Sequence, residues 1–546
     1  MKPARKKHGG IDIKEWRRMR SPVRNSSESA RPALALDYAA IGARRLSLAE
    51  LRERGGRLAS ALRAAGTGED DSVALLMRND LCLLETMIAT AQLGAYLVPI
   101  NWHQKSEEVR FILEDSGARV LVAHADLLAG VRDALPAGLR VIAVPTPPEL
   151  ARPYGVADAR CAVPQEQGVE DFDTVLAAHE PMRDTTRVGS RGSIVYTSGT
   201  TGRPKGVRRF ALEPEAARKF GALSEQWFDL RPGVRTAMAG PMYHSAPSTY
   251  TRAVLRSGGS IVLMPRFDAE ELLALIERER ISHIHMVPTM FVRMLRLPEE
   301  VRRRYDTSSL EFVIHGAAPC PCEVKQAMIA WWGPIIHEYY AATETGMVSR
   351  SSSEEWLARP GTVGRAWPGR AIRIYTDEGQ LAPAGVAGEI YVSLDGVPNF
   401  TYQNAEAQRR EIDRGGLVTN GDVGYLDEAG YLFLVDRKKD MVISGGVNIY
   451  PAEIEGALAG HPKVADSAVI GIPDEEYGEK LVAFVLPVSG ETATEEELRV
   501  YLRERLSHFK VPRQFTFVTE LPRDDSGKLM KRKLREPYWQ GRQARI

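Results

Sequence analysis

Short apolar runs alternate with amphipathic stretches along most of this chain, and that alternation limits the folds open to it. Residues 73–77, 120–123, 261–264 and 312–314 are too short for helices and lack polar alternation. They read as strands buried on both faces. Between such runs, apolar residues fall at helical spacing. Ser47 and Glu50 form an S-x-x-E capping box, and Leu48, Leu51, Leu58 and Leu62 make the stripe behind it. This is the pattern of an amphipathic helix with a fixed start. Strands separated by helices predict an α/β fold whose sheets are covered on both sides. Residues 145–190, rich in proline, charge and small side chains, are expected to form an irregular connection.

The texture changes after about Asp436. A helix is expected near Pro451–Ala459, with strands near 466–472 and 481–486. A second capping box, Thr494 and Glu497, opens another helix, and a strand near 514–518 precedes a polar, basic ending. This reads as a small α+β unit of about a hundred residues. The expected organisation is a basic arm over residues 1–32, a large domain over 33–437 and a small domain over 438–546. With 546 residues, 44% of them hydrophobic, more than one folding unit is expected.

The formal net charge of +1 conceals an uneven distribution. Residues 1–24 hold nine Lys/Arg and two Asp/Glu, which leaves the remainder at −6. An unpatterned basic arm reads first as a solvated tail. Its functional alternative is weak attraction to an anionic membrane surface. Nothing else in the sequence supports nucleic-acid binding. No apolar run reaches the roughly 18 residues of a spanning helix, and no signal-peptide core follows the charged start. Cys82, Cys161, Cys320 and Cys322 are too few for a disulfide framework. Cys320 and Cys322 lack a second pair or a histidine at metal spacing. A reducing, cytoplasmic setting is expected.

A string of hydroxyls and glycines, YTSGTTGRPKG, occupies residues 196–206, directly after an apolar strand at 193–196. Glycines let the backbone turn tightly and approach a ligand closely. Successive N–H groups and side-chain hydroxyls can then cradle phosphate oxygens, and Lys205 adds a cation. It is not a Walker A loop, because Gly206 follows the lysine where Ser or Thr is required. Further on stand PMYHSAP (241–247), HGAAPCP (315–321), EYYAATE (338–344), TNGDVGYLD (419–427), DRKKD (436–440), SGGVNIYPAEIE (444–455) and LPRDDSGKLMKR (521–532). Taken singly, each has a bland reading. Residues 315–321 and 444–455 could be strand–helix turns, Asp422 a turn residue, and Lys528 a solvated charge.

Together and in this order, these motifs resemble the adenylate-forming superfamily of acyl-CoA synthetases, peptide-synthetase adenylation domains and beetle luciferases. The resemblance runs from about Ser47 to Lys533. It implies a large N-terminal α/β domain of packed mixed sheets and helices, plus a small mobile α+β C-terminal domain. It implies that Thr197, Ser198, Gly199, Thr200, Thr201, Gly202 and Lys205 meet the phosphates of ATP. Gly316, Ala317 and Ala318 would lie against adenine, Tyr340 would stack on it, and Glu338 and Tyr339 would flank the nucleotide. Thr343 would meet phosphate, and Glu344 would hold Mg2+, a hard cation suited to oxygen ligands. Asp422 would accept from the ribose hydroxyls, assisted by Arg437. Lys528 would be the adenylation lysine and Lys439 the hinge. Ser444, Gly445 and Gly446 would face CoA. His244 would separate the ATP and acid sites. The acyl pocket would draw on His244, Ser248, Tyr250, His315, Tyr339 and Met347. Ala341 stands where glycine is usual, and Tyr339 where a small residue is frequent, so Tyr339 is expected to narrow that pocket.

The activity implied is ATP-dependent ligation of a carboxylic acid to CoA through an acyl-AMP, releasing pyrophosphate and then AMP. Residues 241–344 look most like bacterial fatty-acid and bile- or sterol-type acid CoA ligases, which implies a fatty or bulky apolar acid. The alternatives are an enzyme that loads a separate carrier protein and a non-catalytic nucleotide-binding homologue. No carrier domain follows Lys528 and no obvious insertion follows the hinge, which favours CoA. Lys205, Glu344, Asp422 and Lys528 are all present, which favours catalysis.

Overall fold

The computed structural model describes residues 37–182, 191–197, 204–444, 447–475, 477–524 and 528–540. Among them, a fourteen-stranded mixed sheet runs through the N-terminal domain. Its parallel part sets Ser260–Leu263, Arg235–Met238, His283–Met286, Phe312–His315 and Ile336–Ala342 side by side. An antiparallel continuation follows through Gly346–Ser351, Thr362–Ala366, Tyr431–Arg437 and Leu417–Leu426. A second, all-parallel sheet carries Tyr96–Pro99, Ser72–Leu76, Ala118–His124, Arg140–Val144 and Val169–Asp171 in that order.

Side-chain alternation explains why the short apolar runs become two-sided strands. In Phe312–His315, Phe312 and Ile314 join a core shared with the second sheet, while Val313 enters the core on the far side. Ala39 and Ile41 divide from Tyr38 and Ala40 in the same way. The helices Leu48–Ala64 and Leu81–Leu93 contribute to the shared core. The first starts where the capping box requires: Glu50 N donates to Ser47 Oγ at 3.1 Å, and Ser47 N donates to Glu50 Oε2 at 2.8 Å. Residues 145–190 depart from the irregular connection expected of them. The strand Val169–Asp171 extends the parallel sheet, and the helix Phe172–Ala177 follows it. Their polar composition conceals them because the strand lies at the sheet edge, where side chains stay partly exposed.

The smaller C-terminal domain has its own sheet, ordered Val447–Ile449, Val442–Ser444, Gly478–Pro487 and Val464–Asp474, with Gln514–Phe517 beside Gly478–Pro487. Val469, Leu481, Ala483 and Val485 pack with Ile454 and Leu498 from the helices Pro451–Ala459 and Glu495–Arg503. Ala468, Ile470, Val482 and Phe484 face the other way, toward Leu534 and Tyr538 of the helix Lys531–Trp539. A turn at residues 438–440 joins the two domains. Elsewhere they meet through polar groups. Arg296 Nη2 donates to Ala465 O at 2.5 Å, and a Cβ on Gly460 would come within 2.9 Å of Glu323 Oε2. No helix among the described residues is long and apolar enough to cross a membrane.

Candidate active site

Three parallel strands of the large sheet release motif loops from their carboxyl ends, the edge where open α/β sheets bind ligands. Arg235–Met238 leads into residues 240–244, Phe312–His315 into Gly316, and Ile336–Ala342 into Thr343 and Glu344. Asn79, from the second sheet, fastens the first loop. Its Nδ2 donates to Gly240 O and its Oδ1 accepts from Met242 N, both at 2.9 Å. His244 then stands at the start of the helix Ser245–Ser257 without a side-chain cap bond, and Ser245 Oγ lies 3.2 Å from Thr343 Oγ1. The first and third loops therefore touch.

The middle loop is shaped by close packing. A Cβ on Gly316 would lie 2.6 Å from the Tyr339 ring and 2.8 Å from the Tyr339 carbonyl oxygen, so only glycine fits. Ala317 follows with φ +70°. An alanine in the left-handed region costs about 1–2 kcal/mol, and such strain gathers at ligand-binding turns.

Asp422 is not a turn residue. It lies within the strand Leu417–Leu426, directly across from Arg437 on Tyr431–Arg437. Arg437 Nε stands 3.2 Å from Asp422 Oδ1, and the Tyr340 hydroxyl donates to Asp422 Oδ2 at 2.6 Å. Burial and the Asp422 carboxylate hold that hydroxyl well above the usual phenol range, so it remains a donor. Lys528 of the small domain lies within electrostatic range of this pair. Arg437 beside it, burial and Lys439 push its ammonium down to about 8, while Asp524 and Asp422 act to raise it. The Lys528 loop is braced at its base, where Lys528 N donates to Asp524 Oδ1 and Asp524 N to Lys528 O, both at 2.9 Å. Arg523 ties it to the small domain's sheet through two 2.7 Å contacts with Asp466.

Glu344 accepts from the Tyr402 hydroxyl at 3.3 Å. Lys205 Nζ lies 5.6 Å from the Tyr402 ring centre. Thr197 and Lys205 face each other across the hairpin formed by Ile194–Thr197 and Lys205–Arg209. Ser198, Gly199, Thr200, Thr201 and Gly202 lie outside the described residues, as do Gly445 and Gly446. Ser444 stands opposite Val447 in the small domain's hairpin. Glu344 makes no ion pair among the described residues. The Glu344 carboxylate, beside the Tyr402 hydroxyl, offers the oxygen donors that suit Mg2+ shared with phosphate.

Two expected contacts need correction. The resemblance groups His315 with the acyl pocket, but strand alternation turns it to the opposite face of the sheet, 5.0 Å from the Phe291 ring. Tyr250, Tyr339 and Met347 belong to the core on the other side. Among the described residues neither ring nitrogen of His315 has a hydrogen-bond partner, and burial depresses its basicity strongly. Glu338 was expected beside the nucleotide. It instead holds the buried Lys325 ammonium at 2.6 Å. Ser248 and Tyr250 are buried on the helix that follows His244, and Tyr250, Tyr339 and Met347 belong to one core cluster.

Residues 25–398 match the family described as AMP-binding enzyme, and residues 453–528 match its C-terminal domain. The chain belongs to the AMP-binding enzyme family. It is 32% identical over 496 residues to the long-chain-fatty-acid–CoA ligase FadD13 of Mycobacterium tuberculosis, spanning 90% of this chain and 93% of that one. It is 35% identical over 505 residues to a feruloyl-CoA synthase of an Amycolatopsis species, spanning 91% and 95%. Among solved structures, ATP-bound MatB from Rhodopseudomonas palustris aligns with a TM-score of 0.77 at 28% identity, covering 92% of this chain and 96% of that one.

In this AMP-binding enzyme, several residues around the loops carry no motif signal. Asn79 secures the His244 loop, and Tyr402 touches Glu344. His285 Nε2 lies 2.8 Å from the Tyr339 hydroxyl, and Thr236 Oγ1 lies 2.9 Å from the Tyr250 hydroxyl. Arg209 and Arg370 hold carbonyls on either side of Glu344. Each acts through a partner remote in sequence. The nearest hint is the Arg208–Arg209 pair, two cations on a strand between apolar neighbours.

Proposed function

We propose that this AMP-binding enzyme is an ATP-dependent acid–CoA ligase that activates an apolar carboxylic acid as its acyl-AMP and then transfers the acyl group to CoA. The observation that carries this reading is the buried Asp422, held by Arg437 and Tyr340 of the large domain, within electrostatic range of Lys528 from the small one. A cation from one lobe beside a carboxylate suited to ribose is the arrangement adenylation requires. The names of the relatives lend support, since FadD13 and the feruloyl-CoA synthase join unlike acids to CoA.

In the first half-reaction a carboxylate oxygen attacks the α-phosphorus, the bond to the bridging oxygen breaks, and pyrophosphate leaves. Two anions must meet, so alignment and charge stabilisation do most of the work. Lys528 supplies a mobile cation between carboxylate and α-phosphate. Asp422, held by Tyr340 and Arg437, fixes the ribose, and residues 196–206 hold the phosphates. Glu344 would hold Mg2+, which when bound neutralises phosphate charge, and Thr343 would meet phosphate. In the second half-reaction the CoA sulfur attacks the acyl carbon, the C–O bond to AMP breaks, and AMP leaves. The small domain turns at Lys439, Lys528 withdraws, and the face bearing Ser444 takes its place, bringing Gly445 and Gly446 to CoA.

Tyr250 and Tyr339 support the apolar choice of acid. Their hydroxyls are taken by Thr236 and His285, so neither buried side chain offers a free polar group to the acid. Burial holds His285 down to about 4, which leaves it neutral near pH 7. Pyrophosphate release tests the reading, measured over straight-chain, arylpropenoic and fused-ring acids with CoA, with a carrier protein, or with neither. Acid-dependent release and a CoA thioester are expected from at least one apolar acid. Release with none of them overturns the reading, and carrier loading without any CoA thioester overturns the choice of acceptor.

A further inference from the structure

The buried Arg370 and the half-buried Arg209 bolt down the segment that carries Glu344. Arg209 Nη2 donates to Thr343 O and Nη1 to Pro398 O, both at 2.6 Å. Arg370 Nη2 donates to Thr345 O at 2.9 Å and Nη1 to Asp395 O at 3.3 Å. Thus the carbonyls immediately before and after Glu344 are each held by a guanidinium, and both guanidiniums are anchored on the same 395–398 turn. Neither arginine forms an ion pair with a carboxylate among the described residues. Burial is the main reason both are pushed down to about 10, which still leaves them charged. Burying an unpaired cation is unfavourable, and two of them near one another are more so. Backbone carbonyls could have been satisfied by neutral donors. Glu344 is the acid that acts on the Arg209 guanidinium.

We propose that Arg209 and Arg370 are positioning residues that set the Glu344 carboxylate for a phosphate-bound divalent cation. Each planar fork bridges two carbonyls at once, which the single ammonium of lysine cannot do in the same geometry. The pair fixes the direction of the segment from both ends. This rests on the reading that Glu344 meets the metal–phosphate group, so the test separates the two claims.

Isothermal titration of AMP, of ATP in EDTA and of ATP with Mg2+ would be run on Arg209→Lys, Arg370→Lys, Arg370→Met and Glu344→Gln, each checked by thermal melting. The expected result is roughly tenfold or greater weakening of ATP with Mg2+ in the arginine variants, with AMP affinity within about twofold of the parent. The Mg2+ concentration giving half-maximal pyrophosphate release should rise with it. If AMP and Mg2+–ATP affinities fall in parallel, or neither falls, the proposal is overturned. If Glu344→Gln leaves Mg2+–ATP affinity unchanged, the metal reading of Glu344 is wrong and the clamp falls with it. If Glu344→Gln weakens it but the arginine variants do not, only the clamp fails. Should Arg370→Met not fold, Arg370→Lys, which keeps the charge and one donor, gives the same comparison.

Discussion

Removing one oxygen from Tyr340 tests how the ribose site is organised. The Tyr340 hydroxyl donates to Asp422 Oδ2 at 2.6 Å, and both residues are buried. A hydrogen bond to a charged acceptor contributes about 1.5–3 kcal/mol, and about 1.4 kcal/mol is a factor of ten in affinity. Tyr340→Phe keeps the ring and deletes only this bond. Arg437 still holds the other carboxylate oxygen at 3.2 Å, so Asp422 keeps part of its orientation. Part of the loss then appears as lower fold stability and part as weaker nucleotide binding. An approximately tenfold rise in KM for ATP is expected, a similar loss of AMP affinity, and kcat within about twofold, because Glu344 and Lys528 are untouched. Steady-state pyrophosphate release and AMP titration measure these. Asp422→Asn should cost at least as much, and adding Tyr340→Phe to it should cost little more, since the two changes remove one shared interaction. A lower melting temperature with unchanged KM and AMP affinity would refute the reasoning. Additive losses in the double variant would do the same.

Lys528 is depressed to about 8, so its charge is present below that pH and lost as pH rises through it. The kcat/KM for ATP, which reports the free enzyme, should fall above about pH 8, while kcat should hold to higher pH because bound phosphates raise the lysine again. Coincident limbs would contradict this. Lys439→Pro fixes φ at the 438–440 turn and should impair thioester formation more than pyrophosphate release. Equal losses would count against a hinge there. Lys325→Met strands the Glu338 carboxylate, for which about 3–5 kcal/mol of lost stability is expected, and Lys325→Met with Glu338→Gln should recover most of it by thermal melting. A raised KM for ATP without a change in melting temperature would instead return Glu338 to the nucleotide site.

What the sequence disclosed followed the range of the interactions involved. The capping boxes at Ser47 and Thr494 were legible because helix starts are set within four residues, and both form as expected. The helix Pro451–Ala459 falls where its pattern placed it. The motif order disclosed the family, but not which face each side chain takes. His315 and Glu338 were placed by motif, whereas alternation along Phe312–His315 and Ile336–Ala342 sends them away from the Tyr339 side. Asp422 looked like a turn residue on local composition, and only its pairing with Arg437 across two strands shows why it is held. Arg209 could not be linked to Thr343 or Pro398 from sequence, since those contacts span 134 and 189 positions.

Two half-reactions measured on Lys528→Ala test the central claim most directly. Acyl-adenylate formation is followed by pyrophosphate release without CoA, and thioester formation is started from supplied acyl-AMP. The account predicts a loss of about 10²–10³ in the first, the usual consequence of deleting one preorganised charge, with the second near that of the parent. Adenylate formation at the parental rate would contradict it.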